Sequence, residues 1–229
     1  MDNIRTIVLA TRNQGKIIEF KEFLQDFDIR IKGLKDFGPL PDVIEDGKTF
    51  KENAYKKARL VAKYLNLPAL ADDSGLVVEA LGGRPGVYSA RFAGEGSSDE
   101  ENYLKLLQEM RKILERKAFF QSVIVLAVPS GSALVYEGRC EGEISREPAG
   151  KYGFGYDPIF FYPPLKKSFA QMSRQEKNQV SHRGRAIAKF HNEFDKIMRW
   201  LSQSFTEEAI KKNSMDTCRG KKFSRKEKI

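Results

Sequence analysis

The sequence predicts a mixed α/β fold in a single domain, and three local patterns support it. Residues 4–10, "IRTIVLA", form a short run rich in β-branched side chains and predict a buried strand before a glycine-bearing loop and a helix. Two Ser/Thr-x-x-Glu pairs stand before amphipathic segments, as at helix starts. Residues 119–145 predict two long strands that turn at 129–132. One strand–helix unit followed by helices and antiparallel strands indicates a mixed sheet.

The helices follow from apolar residues at helical spacing. A first helix follows the loop 11–16, the pair Thr49 and Glu52 predicts the start of a second, and Ser98 and Glu101 predict the start of a third. A last helix is predicted from about Arg183 to Phe205. The apolar faces contain Ile17, Phe20, Phe23, Leu24 and Phe27 in the first helix, Phe50, Ala54, Ala58, Val61 and Leu65 in the second, Tyr103, Leu106, Leu107, Met110, Ile113 and Leu114 in the third, and Ile187, Phe190, Phe194, Ile197 and Leu201 in the last.

The remaining segments predict loops, one short strand and a tail. Residues 31–47 contain several prolines and glycines and predict a loop-rich connector. Residues 68–73, "PALADD", predict a short strand that ends at the two aspartates, and the glycine-rich segment 74–96 is expected to wrap over a site. Hydrophobic periodicity stops near the C-terminus, so we expect one domain over residues 1–205 and a basic, flexible tail over 206–229.

Composition restricts the class of protein. Hydrophobic residues make up 41% and charged residues 31% of the chain, as in water-soluble globular proteins. No apolar run approaches the ~20 residues of a membrane span, and the first residues lack the pattern of a signal peptide. The two cysteines, Cys140 and Cys218, are far apart, which argues against a disulfide framework. The sequence therefore predicts a cytoplasmic protein.

The net charge of +9 favours an anionic ligand. Residues 206–229 contain eight Lys/Arg and four Asp/Glu, so they account for +4 and the rest of the chain for +5. A mildly basic body is compatible with ligands from nucleotides to nucleic acids, but a charge excess is also typical of an ordinary solvated surface.

The loop "TRNQGK", Thr11 to Lys16, is a candidate phosphate site. It leaves a buried strand and enters a helix, whose first backbone N–H groups and positive dipole end attract anions. Thr11 and Asn13 can add hydrogen bonds, and Lys16 can add a charge. The loop does not match the GxxxxGK[ST] pattern, and an ordinary strand–helix turn explains it equally well.

Asp72 and Asp73 are candidate metal ligands. Ligands of open α/β sheets collect outside the carboxyl ends of strands, and Mg²⁺ prefers hard oxygen ligands that it shares with substrate phosphates. Side chains alternate along a strand, so only one of the two carboxylates is expected to face a ligand, while the other supports the loop. A solvated surface turn is the alternative, since water also relieves the repulsion between adjacent carboxylates.

Two further motifs complete the candidate site. In "GFGYDP", residues 153–158, glycines flank Phe154, whose ring can stack on a nucleobase, and Asp157 can accept a hydrogen bond from a base edge; core aromatics of a turn are the alternative. In "EKNQVSHRGRA", residues 176–186, basic side chains and His182 gather at a helix start that Ser181 can cap. These charges oppose the helix dipole, which favours an anionic or carbonyl partner over a purely structural histidine. The four motifs together indicate an enzyme that acts on a nucleoside phosphate.

Five motifs, in order, resemble the Ham1/RdgB family of inosine triphosphate (dITP/XTP) pyrophosphatases. They are "TRNQGK", "EDGKTFKENAYKKA", "ADDSGLVVEALGGRPGVYSARFAG", "GFGYDPIF" and "EKNQVSHRGRA", and the resemblance covers roughly residues 4–203. It implies an elongated mixed β-sheet flanked by helices, with two lobes around a nucleotide cleft, in a homodimer. It implies hydrolysis of ITP, dITP and XTP to the monophosphate and pyrophosphate with Mg²⁺, which cleanses the nucleotide pool.

The resemblance also implies roles for particular residues. Asp73 would accept a proton from the attacking water and bind Mg²⁺ together with Glu45. The expected substrate-binding residues are Thr11, Arg12, Asn13, Gln14, Gly15, Lys16, Ser74, Phe154, Gly155, Tyr156, Asp157, Lys177, His182 and Arg183. Arg12 is a departure, because family members often have Gly or Ser there. Selectivity is expected from a donor, the Arg183 side chain or a backbone N–H near His182, that pairs with the carbonyl at the purine 6-position and finds no acceptor in ATP.

Two other functions fit parts of the sequence. A nucleic-acid-binding module would explain the basic tail but not the aspartates, and nucleic acid is expected at most as a weak ligand of that tail. Another nucleotide phosphohydrolase or a kinase would give different products, such as loss of the γ-phosphate alone. Neither a membrane nor a partner beyond the nucleotide and a second subunit is expected.

Overall fold

The computed structural model of the chain describes residues 5–207 and contains one seven-stranded mixed sheet. Its strands are β1 (Thr6–Leu9), β2 (Arg30–Gly33), β3 (Ala69–Val78), β4 (Lys117–Ala127), β5 (Ala133–Ile144), β6 (Phe160–Tyr162) and β7 (Lys167–Ser168), in the order β2-β1-β3-β4-β5-β6-β7. β1 runs parallel to both β2 and β3, and the other pairs are antiparallel. The predicted mixed α/β class is confirmed.

The helices cover both faces of the sheet. They are α1 (Gln14–Leu24), α2 (Phe50–Leu65), α3 (Asp99–Glu109), α4 (Arg174–Val180), α5 (His182–Asn192) and α6, which spans 194–207 among the described residues. α1, α5 and α6 pack against one face through a core that includes Phe20, Ile124 and Phe190, whereas α2 packs against the other face through a core that includes Ala54 and Val125. A third core surrounds Phe120, Phe160 and Phe169 at the far end of the long strands.

The capping patterns behave largely as predicted. The Ser98 hydroxyl accepts from the Glu101 N–H, and the Glu101 carboxylate accepts in return from the Ser98 N–H, which completes the capping box of α3. Thr49 accepts from the Glu52 N–H in the same way, but the Glu52 carboxylate accepts from the Lys48 N–H instead of from Thr49. The predicted hairpin is present as β4 and β5, which pair in register from Lys117 and Glu143 to Ala127 and Ala133.

Three predictions about element boundaries are wrong. The strand predicted to end at the aspartates continues to Val78, because β4 pairs with it along its whole length. The connector contains β2, a half-exposed edge strand of four residues. The last helix is interrupted at Glu193 and preceded by α4, since Ser173 and Ser181 each accept hydrogen bonds as separate helix caps. Of the predicted tail, 206 and 207 continue α6, and the rest lies outside the described residues.

The difference in length between β1 and β3 opens a gap in the sheet. β1 pairs with only two residues of β3, Ala69 and Leu70, so β3 has a free edge beyond the carboxyl end of β1. Further along, a short 3₁₀ segment, Gly86–Arg91, packs on this edge, where the Ser89 hydroxyl accepts from the Leu76 N–H at 2.9 Å. Asp72 and Asp73 lie in the gap between these two contacts.

Candidate active site

A cavity of about 390 Å³ fills the gap at the carboxyl end of β1. It brings together residues from segments that are distant in sequence. The predicted site residues that line it are Thr11, Arg12, Asn13, Lys16, Glu45, Asp73, Ser74, Phe154, Gly155, Tyr156, Asp157, Lys177, His182 and Arg183. Gln14 and Gly15 do not line it: Gln14 is exposed on the first turn of α1, and Gly15 lies beneath the Phe154 ring.

The loop after β1 is shaped for an anion by its own side chains. Asn13 caps α1 by accepting from the Lys16 N–H at 3.0 Å, and the Thr11 hydroxyl accepts from the Asn13 N–H at 3.2 Å. The first backbone N–H groups of α1 that remain without a helical partner and the Lys16 ammonium therefore meet at the cavity.

The two adjacent aspartates lie on opposite faces of β3, as strand alternation predicts. Asp72 is completely buried and is bound by the Lys16 ammonium at 2.6 Å, by the Arg183 guanidinium at 3.3 Å and by the hydroxyls of Ser74 and Ser122. Burial alone would raise the pKa of Asp72, but Lys16 and Arg183 outweigh it and hold that pKa well below its usual range. Asp72 is therefore a fixed anion that orients the basic residues around it.

Asp73 faces the cavity from the α2 side of the sheet. Burial raises the pKa of its carboxyl above the usual value, and the Lys57 ammonium opposes that rise only in part. A carboxylate with a raised pKa in a cavity is a better proton acceptor than its neighbour with a lowered one. The structure thus separates the two aspartates into a structural anion and a candidate base.

Lys57 was not predicted as part of the site. Its ammonium lies 2.7 Å from Asp73 Oδ1 and 3.2 Å from Glu45 Oε2, so it joins the two carboxylates that the family resemblance assigns to Mg²⁺. The sequence contains a signal that we did not use: Lys57 follows Phe50 by seven residues and Ala54 by three, which places a charge on the apolar stripe of α2.

The Glu45 segment is held from two sides. Buried Asn53 of α2 accepts from the Gly47 N–H at 2.7 Å, and Arg91 donates to the Glu45 carbonyl oxygen at 3.1 Å. A Cβ at Gly47 would lie 2.5 Å from the Asn53 amide oxygen, so only glycine allows this approach. These contacts fix the position of a carboxylate that comes from a segment without regular structure.

Both aromatic residues of the motif line the cavity, and Tyr156 also belongs to a hydrophobic core. The Phe154 ring lies 4.5 Å from the Lys177 ammonium. Tyr156 is buried, and its hydroxyl donates to the Ser89 carbonyl oxygen at 2.8 Å, so it ties this loop to the 3₁₀ segment beside β3. Asp157 accepts from the Phe154 N–H at 2.9 Å and from Lys177 at 2.6 Å, which means that its carboxylate orders the loop itself.

A buried charge network supports the start of α5. The Arg183 guanidinium contacts Glu19 of α1 at 2.5 Å and donates to the Ser74 hydroxyl at 2.9 Å, and Glu19 also lies 3.7 Å from Lys177. Glu19 was not predicted as part of this network, because its place on an amphipathic helix resembles that of a solvent-facing residue. Arg183 is thus committed to two buried carboxylates, those of Glu19 and Asp72.

Two polar atoms of the network have no partner. Within residues 5–207, the buried Nδ1 of His182 and the buried Nε of Arg183 lack hydrogen-bond partners. Burial, with the nearby Arg183 and Lys177 charges, lowers the pKa of His182 well below its usual value, so the ring is neutral at neutral pH and stacks on Phe120 at 4.6 Å. Unpaired buried polar atoms are rare, and their concentration beside a cavity indicates a ligand-binding wall.

The fold and this cavity define an α/β protein with a cleft, lined in part by basic side chains, at the end of its first strand. A family model described as "Ham1 family" matches residues 7–193. The chain belongs to the Ham1 family.

Individual relatives agree in length as well as in sequence. Curated proteins named dITP/XTP pyrophosphatase from Desulfotalea psychrophila and Syntrophobacter fumaroxidans are each 53% identical, over 97% and 90% of this chain and 100% and 89% of their own. A solved HAM1 protein from Coxiella burnetii is 44% identical with a TM-score of 0.79 over 83% of this chain and 98% of its own. The Staphylococcus aureus Ham1 protein is 44% identical with a TM-score of 0.74, over 87% and 99%.

Proposed function

We propose that this protein hydrolyses non-canonical purine nucleoside triphosphates, ITP, dITP and XTP, to the monophosphate and pyrophosphate. The names of relatives that are 53% identical over nearly the whole chain support this substrate class. The observation that supports it most directly is the pair of aspartates on β3, one fixed by Lys16 and Arg183 and the other facing the cavity beside Lys57. Such an arrangement provides a base and several cations for a polyphosphate within one cleft.

The proposed reaction is attack by water on the α-phosphorus. Asp73 accepts the proton of the attacking water, and its raised pKa favours that transfer. Lys57 contacts the same carboxylate at 2.7 Å and holds it in place. Lys16 and the first N–H groups of α1 stabilise the negative charge that develops on the departing pyrophosphate.

The donor set fits Mg²⁺ as a cofactor. Glu45 and Asp73 offer hard carboxylate oxygens at the cavity, and Mg²⁺ is commonly bound through one or two carboxylates, with phosphate oxygens and water completing its shell. The described residues contain no group of three or more metal-ligating side chains, which agrees with a metal that depends on the substrate for the rest of its ligands. When bound, Mg²⁺ would neutralise charge on the phosphate oxygens.

Purine selectivity is assigned to the start of α5. The terminal nitrogens of Arg183 are committed to Glu19, Asp72 and Ser74, which leaves its Nε as the unpaired donor of that side chain. The first N–H groups of α5, at His182 and Arg183, have no partner within the helix. We assign the contact with the purine 6-carbonyl to these backbone donors; the amino group of ATP would leave them unpaired, at a cost of about 1–3 kcal/mol each.

Assembly and location are part of the same proposal. We propose a homodimer in the cytoplasm, with any nucleic-acid binding weak and confined to the tail 206–229. No helix among residues 5–207 is long and apolar enough to cross a membrane. Analytical ultracentrifugation of the full chain tests the dimer, and oligonucleotide binding by chains with and without the tail tests the role of the tail.

The function is tested by product analysis. The purified protein is incubated with ITP, XTP, GTP and ATP, with Mg²⁺ or with a chelator, and the products are separated by anion exchange. We expect monophosphate and pyrophosphate from ITP and XTP, little product from ATP and none with the chelator. Release of inorganic phosphate alone, or equal hydrolysis of ATP and ITP, contradicts the proposal.

A further inference from the structure

An exposed ion pair stands at the mouth of the cavity. The Arg12 guanidinium lies 3.1 Å from Asp42 Oδ1, and both residues line the cavity. Asp42 belongs to a segment without regular structure in which residues 40–43 all face the same cavity. The pair therefore links the anion-binding loop after β1 to the segment that leads to Glu45.

Arg12 differs from the other basic side chains of the cavity in its exposure. Its side chain is 69% exposed and that of Asp42 is 86% exposed, whereas Lys16, Lys57 and Arg183 are 14%, 12% and 3% exposed. Removing one partner of a buried ion pair leaves an uncompensated charge, whereas an exposed pair contributes little to stability. The free-energy cost of separating Arg12 from its carboxylate partner is therefore much smaller than the cost for Lys16, Lys57 or Arg183.

We propose that Arg12 exchanges Asp42 for the terminal phosphate of the substrate, and so makes the enzyme prefer triphosphates to diphosphates. The inference rests on the proposed function, in which the α-phosphorus lies beside Asp73 and the later phosphates extend beyond it. The guanidinium fork matches a phosphate as well as a carboxylate. A diphosphate ends one group earlier, so it cannot draw Arg12 away from Asp42 to the same extent.

Asp42 has the opposite effect on binding. It competes with the terminal phosphate for the same guanidinium, and its own negative charge repels an incoming polyphosphate. Neutralising Asp42 should therefore strengthen binding of the triphosphate and of released pyrophosphate. This effect depends on Arg12 and should be much smaller when Arg12 is absent.

The test compares ITP with IDP in four proteins: the unaltered chain, Arg12→Ala, Asp42→Asn and the double variant. Affinity is measured by calorimetry with a chelator present, and kcat/KM is measured with Mg²⁺. Loss of a charge-assisted hydrogen bond at a partly exposed site predicts about a tenfold loss of ITP affinity and kcat/KM in Arg12→Ala, with IDP changed by less than about twofold. Asp42→Asn should bind ITP about threefold more tightly, and should lose that gain in the double variant.

The chain contains a matched control at the opposite end of β1. Arg5 forms an ion pair with Asp28 in which the side chains are 63% and 86% exposed, close to the values at Arg12 and Asp42. Arg5→Ala removes the same charge without altering the cavity, so its ITP-to-IDP ratio should equal that of the unaltered chain. A general loss of attraction for anions would instead affect both variants equally.

The possible results separate this inference from the proposed function. If the unaltered protein hydrolyses ITP but Arg12→Ala weakens ITP and IDP equally, the role of Arg12 is wrong and the proposed function stands. If Asp42→Asn strengthens ITP binding equally in the presence and absence of Arg12, exchange between the two partners is wrong. If the unaltered protein neither binds nor hydrolyses ITP, both proposals fail.

Discussion

Asp72 and Asp73 are adjacent in sequence, but their carboxylates lie on opposite faces of β3 and in opposite electrostatic environments. Asp72 contacts Lys16 and Arg183 on the side of α1 and α5, and its pKa is lowered despite its burial. Asp73 contacts Lys57 on the side of α2, and burial raises its pKa. This contrast predicts that the same substitution will have different consequences at the two positions.

Asp73→Asn should abolish most turnover and weaken the fold less than the same change at Asp72. The amide keeps the shape of the carboxylate but cannot accept the proton, and the loss of general base catalysis typically lowers kcat by about 10²–10⁴-fold. Lys57 loses one of its two carboxylate partners but keeps Glu45 at 3.2 Å, so the variant should lose less stability than one in which Asp72 is replaced. Steady-state kinetics with ITP and thermal unfolding measure the two effects. Turnover near that of the unaltered protein would remove Asp73 as the base.

Asp72→Asn should instead unfold more readily. The substitution leaves the buried charges of Lys16 and Arg183 without their shared anion, and breaking a buried ion pair typically costs about 3–5 kcal/mol. Urea unfolding followed by circular dichroism measures the change, with Asp73→Asn as the matched control one residue away. Equal midpoints for the two variants would contradict the structural role of Asp72.

His182 should make the free energy of unfolding depend on pH below about pH 6.5, the ordinary pKa of a histidine side chain. Its pKa is lowered in the folded state, chiefly by burial and then by Arg183 and Lys177. Below about pH 6.5 the unfolded chain therefore binds a proton that the folded chain does not, and stability falls by about 1.4 kcal/mol per pH unit as the pH decreases.

The measurement is the difference in unfolding free energy between the unaltered protein and His182→Gln from pH 7 to pH 5. The glutamine cannot titrate, so its curve should decline less steeply over this interval. His191→Gln is the control, because the other histidine is exposed. Parallel curves for the unaltered protein and His182→Gln would show that His182 becomes charged in the folded state.

The parts of the fold that the sequence predicted are those determined by local chemistry. The capping residues Ser98 and Glu101 and the long hairpin β4–β5 need only neighbours along the chain. β2 and the second half of β3 depend on strand partners instead. β2 is a half-exposed strand of four residues in a glycine- and proline-rich segment. In the sequence, the two aspartates inside β3 resemble the end of a strand, but the strand continues beyond them because it pairs with β4.

In the candidate site, too, residues in local motifs were predicted, whereas roles that depend on distant partners were missed. Its loops carry recognisable motifs, and 14 of the 16 residues predicted for the site line the cavity. Glu19 could not be predicted, since it is part of an ordinary amphipathic helix and acquires its role from Arg183, 164 positions away. Lys57 was marked only by its charge on the apolar stripe of α2. The commitment of Arg183 to two carboxylates was also invisible in sequence, and it shifts the expected purine contact to the backbone at the start of α5.

Gly15 offers a last prediction, because one side chain restricts the space beside it more than any other. A Cβ at this position would lie 2.8 Å from the Phe154 ring and 3.2 Å from the Asn13 amide oxygen, and the backbone of Gly15 is that of an ordinary helix. Gly15→Ala should therefore displace Phe154, raise the KM for ITP and destabilise the fold by about 1–3 kcal/mol through overpacking. In a Phe154→Ala background the clash with the ring is absent and only the 3.2 Å approach to Asn13 remains, so the same substitution should stabilise the protein by up to about 1 kcal/mol, because alanine favours the helix. Urea unfolding of the four proteins shows whether the effect changes sign; destabilisation in both backgrounds would mean that Gly15 is required for a reason other than the Phe154 ring.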